Sequence, residues 1–296
     1  MYDVIIIGMG IGGITAGIYG KRAGLNVLMF EKSAPGGMLQ KIDKIQNYPG
    51  FSEISGPDLA LNLFNQVKKV GVPFKFEEVI DVEITEEYKK VITKNGTYEA
   101  KNVIVATGRT PKYLGLDNEK DYLGRGLSTC ASWDGNFYKG EDVAVVGSGN
   151  SALQESLYLA NIVNKVYLLH RGVKFKGDDA LVERVRNTKN IEIVDGVNIK
   201  KINEVEGKIE SVTLDNEKTI NVKGVFIYIG YKPDTDMFKK LDITNINGDI
   251  IVGENFETEI DGLYAIGDCA KKGVYQLVTA ASDGCIAVSD IEKIRN

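Results

Sequence analysis

Cysteine is scarce: the chain has three in 296 residues, Cys130, Cys269 and Cys285. An odd, sparse set excludes a disulfide framework and points to a reducing compartment, hence a cytoplasmic protein. No apolar run reaches the roughly 18 residues that a transmembrane helix needs. The opening MYDVIIIG leads straight into an apolar strand with no basic segment or cleavage site, so a signal peptide is not expected. Basic residues are not in excess either. Thirty-six Lys and Arg against 41 Asp and Glu leave a net charge of −5, which argues against nucleic-acid partners and anionic membranes. No cluster reads as a metal site. Tryptophan occurs once, as Trp133. The remaining composition, 43% hydrophobic and 26% charged, suits a soluble globular protein, and the length suits two domains.

Glycine is abundant, with 33 residues, and two groups of glycines mark a repeated plan. Residues 3–32, DVIIIGMGIGGITAGIYGKRAGLNVLMFEK, pass from a continuous apolar strand through Gly8, Gly10 and Gly13 into a helical pattern. A second apolar strand then ends at Glu31 and Lys32. Residues 142–171, DVAVVGSGNSALQESLYLANIVNKVYLLHR, repeat it with Gly147, Gly149, Asn150, Ser151 and Ala152, ending at His170 and Arg171. Continuous apolar strands are those covered on both faces. In such units the first glycine makes the turn, the second lets backbone approach a pyrophosphate, and the third small residue lets helix and strand pack. One G-x-G-x-x-G can be a mere turn; two, each in strand–turn–helix–strand context, read as two dinucleotide sites.

The two sites differ in charge. Glu31 can accept bonds from ribose hydroxyls and repels a 2′-phosphate, as a site for FAD or NAD would. His170 and Arg171, at the matching place, offer donors suited to NADP. Together they suggest a flavin enzyme fed by a nicotinamide. KNVIVATGRTP (101–111) ends a further strand at Thr107 and Gly108, and DGLYAIGDCA (261–270) ends another at Gly267 and Asp268. Asp268 reads either as a cofactor ligand at a strand's carboxyl end or as an N-cap for a helix expected over about 276–294. The second unit and its returning strand (225–236) lie between these segments, with Pro111 and Pro233 at the crossings. The expected fold is α/β: two Rossmann-like, three-layer ββα nucleotide-binding domains, the second inserted into the first. Residues 1–111 and 236–296 form a discontinuous FAD-binding domain, and 112–235 an NAD(P)H-binding-like domain carrying the Cys130–Trp133 loop.

These motifs are joined by PGGMLQKIDKIQNYPGF (35–51), ATGRTPKYLGL (106–116), CASWDGNFYKGEDVAVVGSGNSA (130–152), GYKPDTDMF (230–238), and GLYAIGDCA followed by YQLVTAASDGCIA. With them, nearly the whole chain resembles the low-molecular-weight thioredoxin reductases. The resemblance implies a homodimer with FAD in one domain, NADPH in the other, and a redox-active C-x-x-C in the nucleotide domain. It places Gly8, Gly10, Gly13, Glu31 and Lys32 at the adenosine and pyrophosphate of FAD. Gly36, Gly37, Met38, Asn47, Thr107, Gly108, Gly267, Asp268, Tyr275 and Gln276 fall towards the ribityl chain and isoalloxazine. Gly147, Gly149, Asn150, Ser151, Ala152, Glu155, His170, Arg171 and Lys176 fall at the nicotinamide nucleotide, and Asp134 at the family's acid–base aspartate.

The sequence departs from the family at three places. The family's C-A-T-C-D-G is Cys130-Ala131-Ser132-Trp133-Asp134-Gly135 here, so the thiol that faces the flavin is missing and no disulfide can form within this loop. The family's H-R-R-x-x-x-R has Gly172 and Lys176 in place of two arginines; a lysine is a point charge rather than a fork, so NADPH, NADH or neither is open. Met38 and Tyr275 replace a glutamine and an arginine near the flavin. Trp133 either covers the flavin ring, as a flat indole can, or fills a gap between domains. The leading expectation is therefore an FAD-dependent oxidoreductase that passes electrons from NAD(P)H or a ferredoxin-like donor to an acceptor such as an electron-carrier protein, without a dithiol. The alternatives are a single-thiol reductase using Cys130 with Asp134, and a flavin-binding regulator without catalysis. Cys269 and Cys285 read as small buried residues.

Overall fold

A computed structural model describes residues 1–295, which form two compact units. One comprises Met1–Thr110 and the chain from Lys232 onward; the other is Pro111–Tyr231.

The first unit is built on a mainly parallel sheet. Its strand order is Phe74–Lys75, Val27–Phe30, Tyr2–Ile7 and Gly96–Val105. The last strand is long enough to serve two partners along one edge. Its first half pairs antiparallel with Lys89–Thr93, which pairs in turn with Val79–Ile84. Its second half pairs in parallel with Leu263–Ala265. The antiparallel strands thus peel away as a meander over one sheet face. Side chains of Tyr2–Ile7 alternate accordingly. Val4 and Ile6 pack with helices Ile11–Arg22, Gly56–Val70 and Leu277–Arg295, whereas Ile5 and Ile7 pack with Val79, Val82 and Val91 of the meander. Both faces are covered, which is why the strand is apolar throughout, and each of these buried side chains contributes about 2 kcal/mol.

The second unit repeats the three layers. Its parallel sheet runs Ile191–Asp195, Lys165–His170, Asp142–Val146, Gly224–Ile227 and Leu127–Ser128. Val143, Val145, Val166 and Leu168 face helices Asn150–Ala160 and Asp179–Arg186. Ala144, Val146 and Leu169 face a meander of Ile199–Val205, Lys208–Leu214 and Thr219–Asn221. In both units the glycine turn therefore lies at the carboxyl end of a central parallel strand, where doubly wound sheets take their ligands.

Candidate functional site

The glycines separate into those the chain itself requires and those it does not. A Cβ on Gly8 would lie 2.4 Å from the carbonyl oxygen of Ala106, and one on Gly13 would lie 2.0 Å from that of Gly8. Gly8 also sits at φ 106°, a region side chains avoid. The middle residue differs: around Gly10 a Cβ would meet nothing within 4 Å. The second unit repeats the division, with Gly147 hemmed in by the Tyr228 carbonyl at 2.4 Å and Gly149 open. Gly10 and Gly149 are also the N-caps of helices 11–22 and 150–160, and neither helix has a side-chain cap. Two helix N-termini thus present uncapped N–H groups beside open backbone, a cradle for a pyrophosphate.

Around the first turn the expected residues converge. Gly36 donates its N–H to the Met9 carbonyl at 2.7 Å, and a Cβ on Gly37 would come 3.7 Å from the Gly10 Cα. Glu31 is buried, accepting from Met9 N–H and Ser33 N–H, each at 2.9 Å. It keeps lone-pair capacity for a ribose hydroxyl. Lys32 instead pairs with Asp234 at 2.6 Å. Thr107 contributes a buried hydroxyl without a hydrogen-bond partner, the kind of orphan a bound ligand satisfies. Asn47 donates to Gln276 at 3.1 Å, which brings together two residues 229 positions apart, and Met38, next to Gly37 in the chain, is half-buried. Gly108, at φ 68°, turns the chain after Thr107 and accepts from Asp234 N–H. These groups fit FAD.

Asp268 does not cap the last helix, which begins at Leu277. It sits in the turn Gly267–Cys269, and Thr279 bonds the helix entry instead. Burial raises the Asp268 pKa above the usual carboxylate value, against the pull of Lys272 and Arg109. Sequence reasoning missed the groups around it. Arg109 donates to the Asp268 carbonyl at 3.0 Å, pairs with Asp249 at 2.7 Å, and lies 4.5 Å over the Tyr275 ring. Lys272 pairs with Asp283 at 2.6 Å, both largely buried, and Asp283 also accepts from Gly267 N–H.

In the second unit, Asn150 exchanges hydrogen bonds with Asp178, and Ser151 is exposed beside it. Ala152 is buried, and Glu155 is half-buried and close enough to raise the pKa of Tyr228. His170 departs from expectation: rather than offering a donor, it is buried with Nε2 held 2.6 Å from Asp195. Arg171 and Lys176 are exposed.

The Cys130 loop is organised by hydroxyls. Ser128 donates to Asp134 at 2.6 Å and accepts from Cys130 N–H at 3.0 Å. The Cys130 sulfur lies 3.3 Å from the Ser132 hydroxyl. The Tyr228 hydroxyl accepts from Ala131 N–H at 2.7 Å, and burial pushes its pKa well up. Trp133 is 60% exposed and Phe137 81%. All three cysteines are free thiols. Cys269 is fully buried, and burial raises its pKa; Cys285 is only half-buried, short of the burial expected for it. Among the described residues no group of three or more His, Cys, Asp or Glu is placed to hold a metal, and no helix is long and apolar enough to cross a membrane.

Two uncapped glycine turns, each at a central strand of a three-layer α/β unit, define the class of two-dinucleotide oxidoreductases. The family model for pyridine nucleotide-disulphide oxidoreductases matches residues 2–284. The chain belongs to that family and is an FAD-dependent oxidoreductase of the low-molecular-weight thioredoxin reductase type. It is 39% identical over 297 residues to the thioredoxin reductase of Bacillus subtilis, covering 99% of this chain and 94% of that one. The structure of Lactococcus lactis thioredoxin reductase in its FR conformation superposes with a TM-score of 0.87 at 32% identity, covering 99% and 98% of the two chains. A bacillithiol disulfide reductase from Staphylococcus aureus, 23% identical, shares the fold with a TM-score of 0.81 over 100% and 99%.

Proposed function

We propose that this enzyme takes electrons from NAD(P)H or a ferredoxin-like donor and delivers them to an acceptor without an intramolecular dithiol. The unit made of residues 1–110 and 232 onward holds FAD through the Gly8–Gly13 turn, Glu31, Gly36, Gly37, Thr107 and Asp268. The unit 111–231 holds the nicotinamide through Gly147, Gly149 and the residues after them. FAD, when bound, supplies the two-electron relay between donor and acceptor. The protein's part is to fix the pyrophosphates on two helix N-termini, to anchor the adenosine ribose of FAD on Glu31, and to place Asp268 at the hydroxyls of the ribityl chain. Similarity to the family also supports a homodimer and a cytoplasmic location.

The observation that carries this reading is the thiol inventory. Cys130 has Trp133 where a second cysteine would complete a redox pair, and Cys269 is fully buried. The relatives named thioredoxin reductases imply thioredoxin as an acceptor; the missing thiol argues against its reduction by the usual exchange. The test is an anaerobic titration of the flavin-loaded protein with NADPH and NADH, followed by a thioredoxin-linked assay. Bleaching of the flavin by a nicotinamide with no thioredoxin reduction is expected. Robust NADPH-driven thioredoxin reduction by the pure protein overturns the reading. Bleaching by dithionite alone makes a protein such as a ferredoxin the donor.

A second reading has its own support in the Ser132 hydroxyl beside Cys130 and the Ser128–Asp134 pair. In it, the Cys130 thiolate attacks a disulfide acceptor, releasing one thiol and leaving a mixed disulfide. Two electrons originating from the nicotinamide would cleave that bond, freeing the second thiol and Cys130, while Asp134 handles the proton. It requires that Cys130→Ser abolish turnover; full activity in that variant rejects it.

A further inference from the structure

In the second unit the strand Ile191–Asp195 runs parallel beside Lys165–His170, and the register sets Asp195 opposite His170 at their carboxyl ends. This is the end of the sheet where the adenosine ribose of a dinucleotide is read. The sequence places a histidine there as a donor, but its ring is buried against Phe175, with centroids 4.3 Å apart. Its Nε2 lies 2.6 Å from Asp195 Oδ1, and Nδ1 is buried without a partner. The arrangement is accounted for if Nε2–H donates to the carboxylate while Nδ1 keeps a bare lone pair, since an orphaned N–H is the costlier group to bury. Asp195 itself stays 47% exposed at its side chain, and Oδ2 makes no hydrogen bond among the described residues.

We propose that Asp195 is the residue that sets nucleotide choice in this unit, selecting an adenosine ribose with a free 2′-hydroxyl, as in NAD(H), over one carrying a 2′-phosphate. This rests on the reading above that the unit holds a nicotinamide dinucleotide. The open Oδ2 accepts from a ribose hydroxyl and repels a phosphate dianion. Arg171, Lys174 and Lys176 on the following loop are exposed, and none makes an ion pair among the described residues. They attract either nucleotide and are screened by water and salt. Asp195 is pinned in place by the buried ring, so it discriminates where the solvated Arg171, Lys174 and Lys176 do not. Gly172 deepens the bias. An ideal Cβ there would lie 3.8 Å from His170 Nδ1, yet the residue brings no side chain to clasp a phosphate.

The test is calorimetric binding to the flavin-loaded full chain, using the non-reducing probes 5′-AMP, 2′,5′-ADP, NAD+ and NADP+. In the parent protein 5′-AMP and NAD+ should bind about tenfold or more tightly than their 2′-phosphorylated counterparts. Asp195→Asn keeps an acceptor for His170 and removes the charge, so the ratio should fall to near one or invert. Asp195→Ser serves as a second variant, with melting curves to confirm that both fold. Tighter binding of NADP+ and 2′,5′-ADP to the parent, or a ratio unchanged in both variants, overturns the proposal while leaving the nicotinamide reading intact. Failure of all four probes to bind overturns both.

Discussion

Asp268 is a carboxylate short of water. Burial raises its folded pKa, with Lys272 and Arg109 only partly offsetting the effect. A raised folded pKa means the folded state holds the proton more tightly. The stability it contributes is present below the unfolded value near ~3.9 and lost as pH rises through the folded one. At neutral pH in the flavin-free protein, the charge therefore opposes folding. Asp268→Asn should melt higher than the parent at pH 7, with the gap closing towards pH 4, and should retain FAD less well. Calorimetry of the flavin-free protein at both pH values, with equilibrium dialysis of FAD, tests the two halves separately. The glycines allow a sharper contrast. A Cβ at position 13 meets the Gly8 carbonyl at 2.0 Å, whereas one at position 10 meets nothing, at φ −71°. Gly13→Ala should destabilise the flavin-free chain by about 1–3 kcal/mol or more. Gly10→Ala should cost less than about 1 kcal/mol, because a Cβ there meets nothing and the loss is confined to the preference for glycine over alanine at an N-cap, and it should weaken FAD binding. Equal losses of stability in the two variants would contradict this division. The distinction between the glycines follows from their order in the motif. That Gly8 would strike the Ala106 carbonyl depends on the strand 96–105 lying beside Tyr2–Ile7, and no local pattern contains that.

Helices and strands were legible where period and burial agree. The apolar runs at 4–7 and 143–146 read as strands covered on both faces because both a helix layer and a meander lie over them. What stayed hidden are pairings set by topology. Asp195 ends the strand IEIVD, and its partner His170 ends the preceding one, but only the parallel register brings the two side chains together. The pair Lys272–Asp283 is likewise silent in sequence, a turn residue and a mid-helix residue 11 positions apart. In the structure it ties the Gly267 turn to the helix Leu277–Arg295, since Asp283 also accepts the Gly267 N–H. Side-chain exposures of 11% and 5% make this a buried pair. Removing one partner of such a pair strands the other, at about 3–5 kcal/mol. Lys272→Met should lower the unfolding free energy obtained from urea titration by that margin. Adding Asp283→Asn should recover part of the loss, because the amide still accepts from Gly267 and no longer buries a charge. A double variant no more stable than Lys272→Met would mean that the carboxylate is solvated after all.

At the scale of the whole molecule, each unit has its own clusters of buried side chains: Val4, Ile6, Ile14 and Tyr264 in one, Val143, Val145, Leu153 and Phe226 in the other. Each also has its own open glycine turn. A chain built this way has two places where a ligand can bias folding, and linkage makes each ligand act on the unit that binds it. Flavin-free protein should therefore unfold with a calorimetric enthalpy exceeding the van't Hoff value, the mark of more than one cooperative unit. Adding FAD should raise the transition of the unit containing Gly8. A ligand present at 100 times its dissociation constant contributes about 2.7 kcal/mol, enough to separate two overlapping transitions. Adding NAD+ should then move the other transition alone. The single tryptophan assigns them: Trp133 lies in the unit 111–231, so its fluorescence reports that unit's unfolding. FAD should shift the calorimetric trace while leaving the tryptophan midpoint nearly fixed, and NAD+ should shift the tryptophan midpoint. If both ligands move one two-state transition equally by both probes, the units fold as one cooperative block and the expected independence of their unfolding is wrong.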